Sequence, residues 1–290
     1  DTLRALQKVT IAGVVLDNNG NVDTDFNGIV YPTLFDKAQI VSTLGQGENS
    51  VFNYRIQNNV IFRGRASVAN GQFEFTFVVP KDINYELGSG KISYYAADES
   101  RMLDAAGSYE AIQIGGTDPN AIADDMGPQV EVYMNTEDFV FGSVVDPKPT
   151  LLVKLSDDNG INVVGNSIGH DLEGVLNEDT QNALLLNDFY ESELDDYTRG
   201  TVRYPMNELP EGRHRIEVKA WDVANNSATG YTEFVVAGSG EVALQHVLNY
   251  PNPFTDRTCF QFDHNLANQE VDVLIQIYTV AGRLVKTLQQ

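Results

Sequence analysis

Nucleophilic catalysis needs a thiol or hydroxyl beside a base that a third group holds in place. The single cysteine, Cys259, stands between Thr258 and Phe260 in an alternating run that ends near His264. A thiol within a strand has no helix N-terminus to lower its pKa, so Cys259 reads as a small apolar side chain. His170-Asp171 follows Gly165 and Gly169, and His214 opens a strand-like run. No activated serine or cysteine accompanies either histidine, so both read as structural or surface groups. With His246 and His264 they are widely spread, without the close pairing that zinc sites use. One cysteine closes neither a disulfide nor a cysteine-ligated zinc site. No glycine-rich phosphate loop with its lysine is present. The sequence therefore assigns no catalytic, cofactor-binding or metal-ligating residue.

Carboxylates are abundant, at 41 Asp plus Glu, so an acid–base pair for glycoside hydrolysis would arise by chance and carries no signal. Asp17, Asn19, Asn21, Asp23 and Asp25 place oxygen donors at every second position, as a hard cation prefers. An EF-hand would need Gly at its sixth place and Glu at its twelfth; Val22 and Gly28 stand there. The first reading is a solvated hairpin turn, and an irregular structural calcium loop is the alternative. Asp157-Asp158-Asn159 and Asp195-Asp196 carry the same two readings. No other cofactor is expected. Trp221, the only tryptophan, ends an alternating strand and is expected to cap a sandwich core. A sugar-stacking platform is the alternative.

The elements that must position these groups are strands. Phe73, Phe75 and Phe77 alternate with polar residues directly after Asn70-Gly71, itself preceded by Ala66 and Val68. Asn-Gly between two alternating runs is a strong hairpin signal, because both turn residues take positive φ. Val9, Ile11 and Val15 alternate before a turn at Asp17-Asn18-Asn19-Gly20, and Ile92, Tyr94 and Ala96 form a further set. So do Leu151, Val153 and Leu155, before a hairpin-type turn at Asp157–Gly160. Ile216, Val218 and Ala220 follow, and then Val271, Val273, Ile275 and Ile277. The stretches Glu99–Gly107 and Glu178–Tyr190 hold at most a turn or two of helix each. Short strands between frequent turn signals predict an all-β chain of tandem immunoglobulin-like β-sandwiches.

Composition agrees and excludes some functions. The formal net charge of −22 rules out a chain that meets nucleic acid with its whole surface and argues against an anionic bilayer as partner. Hydrophobic residues at 42% exceed what a disordered acidic chain carries. No apolar run reaches membrane-spanning length. The sequence starts at Asp1 without Met or signal peptide and is expected to be a piece of a longer protein. Turn-rich stretches at Gly115–Pro119 and Asp124–Pro128, and again at Ala237–Gly240, divide it into modules at 1–116, 119–237 and 240–290. The last has too few residues for an independent sandwich and is expected to be an incomplete domain.

The tail Leu248-Asn249-Tyr250-Pro251-Asn252-Pro253-Phe254 is read as an extended lead-in whose Phe254 anchors the next strand. With the later Ala281-Gly282-Arg283-Leu284-Val285 it resembles the C-terminal sorting domain of type IX secretion substrates, a pattern that flagellar hook-capping immunoglobulin-like domains share. Earlier motifs come in a matching order. They are Asp25-Phe26-Asn27-Gly28, Phe35-Asp36-Lys37, Val79-Pro80-Lys81-Asp82-Ile83 and Gly90–Ala96, then Asn159-Gly160-Ile161-Asn162, Gly169-His170-Asp171-Leu172 and Lys219-Ala220-Trp221-Asp222. Together they resemble, over nearly the whole chain, the region after the catalytic domain of type IX secretion sortases, which are gingipain-like cysteine endopeptidases. The resemblance implies a parent on the outer face of the outer membrane of a Bacteroidetes-type bacterium. That parent would cleave cargo sorting domains and attach cargo to lipopolysaccharide. Its nucleophile would lie before residue 1, so no catalytic residue carries over and Cys259 is not that group. The implied partners are the upstream peptidase domain and an outer-membrane barrel such as PorV. The competing reading is an adhesive or carbohydrate-binding immunoglobulin-like module of a type IX cargo protein.

Overall fold

The computed structural model describes residues 2–45, 50–121, 123–164, 169–237, 244–264, 272–279 and 282–289. Gly165, the linker Gly238-Ser239-Gly240, Val271 and Ala281 lie outside the described residues. The chain is all-β: among the described residues it holds strands and two single 3₁₀ turns, at Thr180–Asn182 and Asn187–Phe189.

Two compact units divide it. The first comprises Asp1–Phe139, Thr150–Pro205 and Arg215–Thr232. Its N-terminal half contains β1 (Thr2–Ala5), β2 (Lys8–Val14), β3 (Gly28–Phe35), β4 (Gln39–Ser42), β5 (Asn53–Ile56) and β6 (Val60–Arg63). It continues with β7 (Ala66–Ala69), β8 (Gln72–Val78), β9 (Gly88–Ser89), β10 (Lys91–Asp98), β11 (Leu103–Tyr109) and β12 (Gln113–Thr117). The main sheet runs β11-β10-β3-β7-β8-β2, with β6 also on β3, and a small sheet runs β1-β12-β9. The Asn70-Gly71 hairpin forms as expected, with φ of 52° and 71°, and joins β7 to β8. Its backbone calls for left-handed residues, which Asn tolerates and Gly adopts freely. Phe75 and Phe77 are buried, and Phe62 stacks on Phe77 with ring centroids 4.3 Å apart. Val30, Leu34, Ile61, Ile92 and Ile114 close this core, each removing apolar surface worth about 1.5–3 kcal/mol.

The same unit holds β13 (Gln129–Met134), β15 (Thr150–Ser156), β16 (Glu173–Leu176), β17 (Leu184–Leu185), β18 (Tyr190–Glu193) and β19 (Asp196–Pro205), with β14 (Val144–Val145) belonging to the second unit. Most of β20 (Gly212–Trp221) and β21 (Ser227–Val236) belong here too. One sheet has the order β13-β15-β19-β18, and β16 bridges β17 and β20 in the other. Leu151, Val153, Leu155, Val202, Ile216, Val218 and Ala220 are all buried.

Several local expectations need correction. The turn at Asp157–Gly160 is not a hairpin, since β15 pairs with β13 and β19 and the chain crosses to the other sheet. Residues 103–107 are not helical but belong to β11, because pairing along β10 overrides the helix preference of Leu and Ala. The alternating run near 271–277 enters its strand only at Leu274.

The second unit comprises Val140–Pro149, Met206–His214 and Glu233–Gln290. In it β14 pairs in parallel with the end of β21, and His214 stacks on Phe234 with centroids 5.4 Å apart. It also holds two hairpins, β22 (Leu244–Tyr250) with β23 (Cys259–His264), and β24 (Leu274–Tyr278) with β25 (Leu284–Gln289). The Pro251–Phe254 segment is the turn of the first hairpin, not an extended lead-in, and Phe254 is exposed instead of anchoring a strand.

Candidate functional site

The densest polar cluster lies in the first unit, where the chain leaves β15 and β20. Asp157 follows β15, and its Oδ1 accepts the backbone N–H groups of Asn159 (2.8 Å) and Gly160 (3.1 Å). Asp222 follows β20 and is fully buried; its Oδ1 accepts from the N–H of Ala224 (2.8 Å) and Asn226 (2.7 Å). A bridge between Ile161 and Asp222 ties the two turns side by side. The turn-rich stretch before β13 brings in Asp124, whose Oδ2 accepts from the Asn159 amide at 2.6 Å. Asn226 donates its amide both to Asp222 Oδ2 (2.7 Å) and to the Asp124 carbonyl (3.1 Å).

One oxygen from each of Asp124, Asp157 and Asp222 lies within 4.8 Å of the others. Burial pushes the Asp157 carboxyl up to about 6, reinforced by the charges of Asp222 and Asp124 and opposed by its two backbone donors. Asp222 is raised for the same first reason, with Asp124 adding to it. None of the ion pairs among the described residues reaches these three groups. Chemically, Asp157 can take up a proton near pH 6, and the three groups together can offer oxygen ligands to a hard cation. The trio contains no thiol or hydroxyl.

A second polar hub lies in the same unit. Asp82, in the β8–β9 connection, accepts from Asn162 (2.9 Å) and His170 Nδ1 (2.7 Å) on one oxygen and from Asn225 (2.7 Å) on the other. Next to it the backbone N–H of Lys81 donates to the Val223 carbonyl at 2.8 Å. His170 packs against Trp221 with ring centroids 4.3 Å apart, and the Lys219 ammonium lies 4.4 Å from the indole centroid. These contacts occupy the ring that the sequence offered as a sugar platform.

The remaining sequence candidates serve local structure. Asp17 accepts from the N–H groups of Asn19 (2.8 Å) and Asn21 (2.9 Å), which holds its carboxyl below the usual range. Asp23 pairs with Arg101 at 3.1 Å. Asp195 accepts from the N–H (2.7 Å) and hydroxyl (2.6 Å) of Ser67, and Asp196 caps Thr198. Asp158 is exposed beside the trio. Burial raises the Asp171 carboxyl, and His214 Nε2 lies 2.8 Å from the Pro210 carbonyl. Cys259 is exposed opposite Tyr250 in the β22–β23 hairpin, which corrects its reading as a small packed apolar side chain. Asp82, Asp124 and Asp222 were not singled out as ligands by sequence reasoning. Asp82 and Asp222 entered only as members of resemblance motifs and Asp124 as part of a turn-rich stretch, and nothing in local spacing links them.

No protein-family model matches the chain, and no curated protein matches it. Among solved structures it is similar to dimeric latent PorU from Porphyromonas gingivalis, at 30% identity over 100% of this chain and 27% of that chain, with a TM-score of 0.48. It also aligns with the fibronectin(III)-like modules of Clostridium thermocellum CbhA at 10% identity, over 82% of this chain and 90% of that one, with a TM-score of 0.23. The all-β architecture rests on the strands themselves, not on either superposition. The chain spans about a quarter of the PorU chain it resembles.

Proposed function

We propose that this chain is a non-catalytic accessory and interaction region of a cell-surface type IX secretion sortase. In this reading a cysteine peptidase domain upstream removes cargo sorting domains and attaches the cargo to lipopolysaccharide. The present β-modules support that domain and dock the protein on an outer-membrane partner such as PorV. The observation that carries the reading is sequence similarity to PorU along the entire chain, at 30% identity, beside this chain's own run of motifs ending in Tyr250-Pro251-Asn252-Pro253-Phe254.

The coding sequence immediately upstream of Asp1 tests the proposal. It is expected to encode a gingipain-like domain with a Gly-His pair and a cysteine near strand ends. A glycoside hydrolase, or a further series of immunoglobulin-like repeats, would overturn it in favour of a cargo protein.

A further inference from the structure

The main sheet of the first unit ends in β2 on one side and β11 on the other, and both end strands line one cleft of about 630 Å³. Every successive residue from Val9 to Leu16 and from Ala105 to Tyr109 contributes to its wall. A strand viewed from its face shows every second residue, so consecutive lining means that the cleft runs along the two strand edges. The floor between them is apolar, with Phe73, Ile92, Tyr94 and Ile112.

Both edges are regular, with one charged residue each, Lys8 in β2 and Asp104 in β11. β2 pairs with β8 without a break from Lys8↔Val78 to Val14↔Gln72, and β11 pairs with β10 from Leu103↔Asp98 to Tyr109↔Ile92. Neither has a second strand partner among the described residues. Edge strands are ordinarily blunted by proline, a bulge or an inward charge. Here neither strand contains proline, neither register shifts, and the cleft lining contains no charged side chain in a chain of net charge −22.

We infer that this cleft receives an extended strand of a separate polypeptide, uncharged and apolar at alternate positions, by strand addition to β2. Charge selects the occupant: an uncharged lining favours a neutral strand, and a second copy of this chain would bring a further −22 into proximity. The edges favour a peptide over an acyl chain, because the outward N–H and C=O groups of β2 and β11 can exchange water for the backbone groups of an added strand, which an acyl chain does not offer. Successive antiparallel pairings from β11 to β2 make these two strands run in opposite directions. A strand added antiparallel to β2 therefore runs parallel to β11. The inference goes beyond the sortase reading and does not depend on it.

Gly107 supplies the test. It pairs with Tyr94, whose side chain lines the cleft, and a Cβ at Gly107 would meet nothing within 4 Å. Gly107→Phe places a ring on the Tyr94 side of β11, starting from a Cβ position in open space, and should obstruct the cleft. The probe is an end-blocked, fluorescently labelled heptapeptide of alternating threonine and valine, titrated into the intact chain with amide chemical shifts recorded. The expected result is saturable perturbation of β2 and β11 amides. Affinity should fall about tenfold or more for Gly107→Phe at unchanged melting temperature, and equally for a peptide N-methylated along its pairing edge. If Gly107→Phe does not fold, the N-methylated peptide alone decides. Absence of perturbation at β2, equal binding of the N-methylated peptide, or displacement by dodecanoic acid would overturn the inference. So would concentration-dependent dimerisation that Gly107→Phe abolishes, which would make a second copy the occupant.

Discussion

The carboxyl groups of Asp157 and Asp222 approach within 4.8 Å of each other in the turns that follow β15 and β20, and an Asp124 oxygen lies within the same limit of both. Their environment favours the protonated acid, most strongly at Asp157, which is held at about 6. Between the ordinary aspartate pKa and that value, the folded chain binds more protons here than the unfolded chain does. The group's contribution to stability is therefore present in full at low pH and is lost as pH rises through about 6. Asp157→Asn keeps an oxygen for the N–H groups of Asn159 and Gly160 and removes the charge. It should raise stability at pH 8 by about 1 kcal/mol after allowance for solvent screening, or ~2–4 °C in melting temperature. The gain should shrink to nothing near pH 4. Melting curves across that range check it, and a gain that grows toward low pH would contradict the assignment.

Asp82 ties three separate segments to one carboxylate. Asp82→Ala leaves the amide groups of Asn162 and Asn225 without this acceptor, a loss of about 1–3 kcal/mol. His170→Ala removes a partly exposed partner and should cost less than about 1 kcal/mol. Urea unfolding of the two variants gives the comparison. Equal losses would show that the histidine contact, not the carboxylate, holds the hub together.

Two glycines on strands should respond in opposite ways to alanine. A Cβ on Gly200 would lie inside the ring of the buried Tyr190, so Gly200→Ala forces that ring aside and should destabilise by about 1–3 kcal/mol. Gly107→Ala meets open space and should be neutral or stabilise by up to about 1 kcal/mol. Thermal melts of both variants decide, and similar behaviour would contradict the local packing.

Where side chains alternate and turns carry Asn-Gly, the fold can be read directly: the β7–β8 hairpin and the buried faces of β8, β10 and β20 follow from period two alone. β11 could not be read, because Leu103-Asp104-Ala105-Ala106-Gly107 has no strand preference of its own and becomes a strand by pairing with β10. The carboxylate trio was hidden for another reason. Asp157 stood in a stretch already suspected of binding a cation, but its partners were Asp124 and Asp222 and not the adjacent Asp158. Only the crossing of the chain between sheets brings them together. The YPNPF motif likewise signalled a defined backbone, yet its placement in a turn depends on the pairing of β22 with β23.

The central claim is that this region serves a sortase without performing its chemistry. Its most direct test is cleavage of a cargo sorting domain by the full-length protein carrying Cys259→Ala, compared with the unmodified protein. The account predicts tail removal by both at the same rate. Loss of cleavage in the variant, or no cleavage by the unmodified protein, would contradict it.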